Sequence, residues 1–126
     1  MCCCCLEFND ENWEDLVKLG STHLVLPTIY SRLKSKNKTN QLPKDLTDYL
    51  DSISSINRNR NLTLIEESKA ISNLFNEHHI NHVFLKGIAL LASNHFEDLC
   101  ERMVGDIDIL VDKNQISKAF NLLQKR

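Results

Sequence analysis

Asp106 and Asp108 stand one isoleucine apart in the run Gly105-Asp106-Ile107-Asp108-Ile109-Leu110-Val111. That pattern is where this chain could do chemistry. The run predicts a short strand: β-forming apolar residues, a glycine before them, and a polar break at Asp112-Lys113-Asn114 after them. Side chains alternate across a strand, so both carboxylates fall on one face and Ile107 and Ile109 on the other. Paired carboxylates on a rigid element suit a hard divalent cation such as Mg²⁺ or Mn²⁺, which takes oxygen ligands and often only one or two carboxylates plus substrate phosphates. The two acids repel each other unless a cation or a donor lies close by. The competing reading is a polar strand edge facing water, and Asp-x-Asp by itself does not separate the two.

Upstream, His82-Val83-Phe84-Leu85-Lys86 is a second β-like run. Gly87 follows, and Ile88-Ala89-Leu90-Leu91-Ala92 begins a helix reaching Phe96 or Leu99. A strand that turns through Lys-Gly into a helix presents free backbone amides that favour an anion. Gly87 permits close backbone approach, and Lys86 adds a mobile point charge of the kind used on phosphates. A glycine at such a junction often serves the turn alone. Its value here lies in the conjunction of a phosphate cradle and a metal seat on two strands of one small sheet, the two halves that metal-bridged nucleoside triphosphate binding needs.

The elements that must position these groups are mostly helical. Trp13, Leu16, Val17 and Leu19 recur at helical spacing, with Asn9 or Asp10 as cap. Gly20 interrupts, and Ser21 or Thr22 caps a second helix carrying Leu24, Leu26, Ile29, Tyr30 and Leu33, with Pro27 in or near its first turn. From Pro43, an apolar stripe of Leu46, Tyr49, Leu50, Ile53 and Ile56 continues through Leu62, Leu64, Ile65, Ile71, Leu74 and Phe75 toward His78, as one long helix or two. The polar stretch Asn57-Arg58-Asn59-Arg60-Asn61 in its middle reads as a solvated turn or an exposed helix face, although Arg58 and Arg60 could reach a phosphate. Gln115 to Lys125 forms a final amphipathic helix. The resulting fold class is α+β: a helical front over 9–80, then strand–helix–strand–helix over 81–126, preceded by a Cys-rich tail over 1–8.

Other clusters are less specific. His78, His79 and His82 lack the four-residue spacing with an intervening glutamate of a helical zinc motif, and fit a helix end for dipole reasons. Cys2 to Cys5 are adjacent, which does not suit zinc or a disulfide framework, and Cys100 stands alone. The tail lacks the Met-Gly start of a myristoylation site. The Arg32, Lys34, Lys36, Lys38 cluster fits a solvated loop. The chain has 126 residues, 42% hydrophobic and 25% charged, with a net charge of −2. That is ordinary for a globular domain and gives no strong nucleic-acid signal. No run is long enough to span a membrane and no secretory signal is visible, so a reducing, cytoplasmic setting is expected.

These residues carry a resemblance. The stretch from Val83 to Leu123 resembles the nucleotidyltransferase superfamily of polymerase-β type. More narrowly, it is similar to a family of uncharacterised bacterial nucleotidyltransferase-like proteins with Leu-Lys-Gly followed by Arg-x-x-x-Asp-Ile-Asp-Ile-Leu-Val. Here these are Leu85-Lys86-Gly87, Arg102 and Asp106 to Val111. The resemblance implies a partial nucleotidyltransferase core with a small mixed sheet. It also implies that Asp106 and Asp108 are catalytic and hold Mg²⁺ or Mn²⁺, and that Lys86, Gly87 and Arg102 bind the nucleotide, with Arg102 touching phosphate or pairing with Asp106. The partners implied are a nucleoside triphosphate and an unknown acceptor.

Two departures matter. Lys86 stands where the wider superfamily has Gly before Ser. The superfamily also takes a third carboxylate from a later strand, so the chain is expected to be a truncated copy, impaired in transfer, with a sheet edge open to a partner chain or to self-association. A non-catalytic nucleotide-binding or interaction module retaining the fold is the alternative. A sugar-nucleotide glycosyltransferase, which also uses Asp-x-Asp, would require a long Rossmann-like start that the helical front does not supply.

Overall fold

The computed structural model describes residues 10–96 and 98–125. The Cys2–Cys5 run lies outside the described residues. Five α-helices and two strands follow in order: α1 (Asp10–Thr22), α2 (Leu26–Ser35), α3 (Lys44–Glu77), β1 (His82–Leu85), α4 (Lys86–Ala92), β2 (Asp108–Val111) and α5 (Ile116–Gln124). Short 3₁₀ turns at Thr39–Gln41 and Lys113–Gln115 lead into α3 and α5. The architecture is α+β.

The break in the helical front falls later than Gly20 suggests. Gly20 lies within α1, and a Cβ there would meet Leu26 Cδ2 at 2.5 Å. The glycine is a contact point that lets α2 pack close to α1. The chain turns instead at His23–Val25, where Leu24 takes a φ of 56°. Pro27 sits in the first turn of α2, where its missing N–H costs nothing.

α3 is one continuous helix of 34 residues, about 50 Å long. It is the spine of the molecule. Its first part contributes Leu50, with Leu46 and Ile53 alongside, to a cluster with Leu26, Tyr30 and Leu42. Its middle gives Leu64 and Ile65 to a cluster of Ile88, Leu91 and Val104. Its last turns give Ile71 and Phe75 to a third, with Ile80, Ala119, Ile107 and Ile109.

Among the described residues the sheet is a single antiparallel pair in the register His82↔Val111, Val83↔Leu110, Phe84↔Ile109 and Leu85↔Asp108. Directly opposed residues share a face. His82 and Phe84 alternate inward while Val83 and Leu85 face out. The inward face rests on α3, where His82 packs edge-on to Phe75 and Phe84 at ring separations of 5.2 and 5.7 Å. His82 is thereby a half-buried strand residue, bonded to Ser72 and to the Ile80 carbonyl, and not part of a helix end. His78 does close α3, with Nδ1 at 2.9 Å from the Leu74 carbonyl.

Candidate active site

β2 begins at Asp108, so Asp106 lies in the extended segment before the strand rather than on it. The alternation persists all the same. Ile107 and Ile109 both pack into the core beneath the sheet, which leaves Asp106 and Asp108 to the opposite side, with Leu85 directly across from Asp108. Asp106 is exposed and Asp108 half-buried. Period-two patterning thus places the carboxylate pair even where ladder hydrogen bonds stop.

The Lys–Gly bend meets this pair. Lys86 Nζ lies 3.3 Å from Asp108 Oδ2, its own side chain 74% exposed. Lys86 also takes a φ of 58°, a left-handed conformation that glycine adopts freely and other residues resist. The sequence resemblance sets Lys86 at a glycine position, and a φ of 58° is a shape that a glycine would favour. Gly87 needs its missing side chain for a different reason than the turn. A Cβ there would lie 2.9 Å from Val104 Cγ2 and 3.4 Å from Arg102 Nε. Gly87 is buried under the segment that leads to Asp106, and lets that segment close onto α4. α4 itself has only seven residues, shorter than the sequence suggests, so its dipole is slight and any anion must rely on the cationic side chains.

Arg102 is exposed and leans over Gly87. Among the described residues it makes no ion pair, so the pairing with Asp106 that the sequence allows is not formed. Its backbone explains the posture. The Arg102 carbonyl accepts from Asn57 Nδ2 at 3.0 Å and Asn61 Nδ2 at 2.8 Å, which anchors the main chain on α3 and leaves the side chain free to reach the bend.

Those two asparagines correct the reading of Asn57-Arg58-Asn59-Arg60-Asn61 as a solvated stretch. Asn57 and Asn61 are buried, one helical turn apart, and their amides also reach the carbonyls of Cys100 and Leu99. Arg58 grips Asp98 through Nε at 3.1 Å and a second nitrogen at 2.8 Å. This fork, together with the Cys100 amide, holds the Asp98 carboxyl down at about 2, against an ordinary 3.8. Arg60 donates to the Gly105 carbonyl at 3.4 Å. From the other side α2 closes on the same segment. Thr28 donates to the Glu101 carbonyl, Ser31 donates to Glu101 Oε1 at 3.2 Å, and Arg32 lies 3.7 Å from Oε2. Residues 98–105 are therefore strapped between α2 and α3, and deliver Arg102, Val104 and Asp106 to fixed places. Cys100 is buried in this strap, and burial pushes its thiol up.

The donor set fits a hard cation. It consists of two carboxylates with one protein cation, Lys86, already resting on Asp108 as a stand-in for positive charge. Among the described residues no group of three or more His, Cys, Asp or Glu side chains gathers to hold a metal, so the pair would need phosphate or water oxygens to complete a coordination shell.

The fold is α+β, with Lys86 of the lysine–glycine bend against Asp108 of the Asp-x-Asp run. The family described as "Uncharacterised nucleotidyltransferase" matches residues 9–126, and the chain belongs to it. No curated protein and no solved structure matches the chain. Among the described residues no helix is long and apolar enough to cross a membrane.

Proposed function

We propose that this chain binds a nucleoside triphosphate together with Mg²⁺ or Mn²⁺ and transfers the nucleotidyl group to an acceptor, releasing pyrophosphate. The observation that carries the reading is the 3.3 Å approach of Lys86 Nζ to Asp108 Oδ2, which joins the bend and the acidic pair into one site. Asp106 and Asp108 would hold the divalent ion. When bound, it supplies charge neutralisation and polarises phosphoryl oxygens. Lys86, beside Asp108, and Arg102, over the bend, would orient the phosphates, and Gly87 sets how close Arg102 comes. In the transfer an acceptor hydroxyl gives up its proton to solvent and its oxygen forms a bond to the α-phosphorus, while the bond from that phosphorus to the bridging oxygen breaks. The electron pair leaves with pyrophosphate.

A second reading, a nucleotide-binding or interaction module without transfer, is favoured by the presence of only two gathered acids among the described residues. Both readings are tested by incubating the protein with α-labelled nucleoside triphosphates and Mg²⁺ or Mn²⁺. Label appearing on an acceptor, and falling at least about 100-fold in Asp106→Ala and Asp108→Ala, supports transfer. Metal-linked binding without transfer supports the module. Transfer that survives both substitutions sinks the site.

Among the described residues the outer edge of β2 is unpaired, and exposed Leu110 on that strand with exposed Phe120 of α5 is where self-association fits best. Sedimentation velocity over a concentration series reads it.

A further inference from the structure

Four arginines stand on or beside the strap, and they divide into two kinds. Arg32 and Arg58 each face a carboxylate, Glu101 and Asp98. Among the described residues Arg60 and Arg102 face none. On α3 the side chains of Arg58 and Arg60 lie on either side of the buried Asn57–Asn61 pair, because successive residues turn by about 100°. Arg58 takes the start of the strap at Asp98, and Arg60 takes its end at Gly105. Gly105 immediately precedes Asp106. The exposed guanidinium of Arg60 therefore rests on the backbone one residue before Asp106, tethered through a single nitrogen at 3.4 Å. An arginine offers five donors in a planar fork suited to phosphate, and this long bond to a neutral carbonyl uses one of them.

We propose that Arg60, supplied by the long helix of the front half, is a third cation for the phosphates of the bound nucleotide, acting with Lys86 and Arg102. The inference rests on the nucleotide reading above. The charge pattern supports it. Asp106 and Asp108 are offset within the site by Lys86 and Arg102, so those four groups sum to zero and leave no surplus for a substrate that remains anionic with its metal bound. Arg60 provides that surplus. Its attachment to the backbone beside Asp106 gives it a fixed base with a free fork, whereas Arg58 is fully engaged and cannot turn to a ligand.

Isothermal calorimetry on the full chain with Mg²⁺ and ATP, and separately with AMP, tests this. Arg60→Gln is expected to weaken ATP binding about tenfold and to leave AMP binding within about twofold, with the melting temperature unchanged. Arg60→Lys recovers part of the ATP affinity, and Arg60→Glu weakens it further than Gln does. Equal ATP affinity in Arg60→Gln and the unaltered protein overturns the inference. So does an equal loss for ATP and AMP, which would make Arg60 only a support for the strap. If the unaltered protein shows no magnesium-linked ATP binding, the nucleotide reading itself falls, and that outcome is distinct from a failure confined to Arg60.

Discussion

Lys86 holds a φ of 58°, and a left-handed backbone costs a residue with a side chain roughly 1–2 kcal/mol. The ion pair that it forms with Asp108 is largely solvated, the lysine being 74% exposed, and such pairs return little. The ion pair therefore does not offset the strain at this position, which fits the proposed use of the ammonium group on phosphate. Two substitutions separate the effects. Lys86→Ala keeps the strain and removes the charge. Lys86→Gly removes both, and is expected to be about 1 kcal/mol more stable than Lys86→Ala in urea titrations. Both should lose magnesium-linked nucleotide affinity to a similar degree. Equal stability of the two variants would mean that the left-handed backbone at Lys86 carries no strain.

At the scale of elements, the strap over 98–105 governs how firmly the site is held. Its acid end is sensitive to pH. The Asp98 carboxyl is held at about 2, below its ordinary 3.8, first by the Arg58 hydrogen bonds. A depressed folded value means that the carboxylate form favours folding. That contribution is complete above about pH 4 and is lost as the pH falls toward 2. Urea midpoints measured between pH 5 and pH 2, about the range over which carboxylates titrate, are expected to fall less steeply in Arg58→Gln than in the unaltered protein. Parallel slopes would remove Arg58 as the cause.

The strap was also the part least legible in the sequence. Asp106, Ile107, Asp108 and Ile109 announce their faces through a two-residue period, and the amphipathic spacing of Leu46, Leu50, Ile53, Ile71 and Phe75 announces a helix face. Asn57 and Asn61 carry no such signal, because their partners are carbonyls some forty positions away in a segment without regular structure. A faint clue existed: polar residues at positions 57 and 61 continue the apolar stripe rather than interrupt it on the outer face. An amide nitrogen that meets two carbonyls satisfies those acceptors much as a strand would, although Asn61 Oδ1 itself is buried without a partner among the described residues. The helix α4 ended early for a related reason. Asn94 turns to a φ of 55°, and the chain leaves the helix to form the strap.

For the whole molecule, the decisive feature is that α3 joins all three core clusters. The helical front and the strand-bearing back share one continuous element, and the middle of that element clamps the strap. The two halves are therefore expected to unfold together. The single tryptophan, Trp13, packs against the front cluster, whereas Phe75, 1% exposed, fills the back cluster against Ile109 and Ala119. Phe75→Ala should cost about 3–5 kcal/mol through lost burial and a cavity. If α3 transmits the loss, Trp13 fluorescence and far-ultraviolet circular dichroism shift to lower urea together and remain superimposable. Were the halves independent, the tryptophan transition would stay in place while the dichroism split into two steps. A joint shift would also fit the proposed site, which draws Arg60 from the front helix and Lys86 from the back, because α3 runs through both halves.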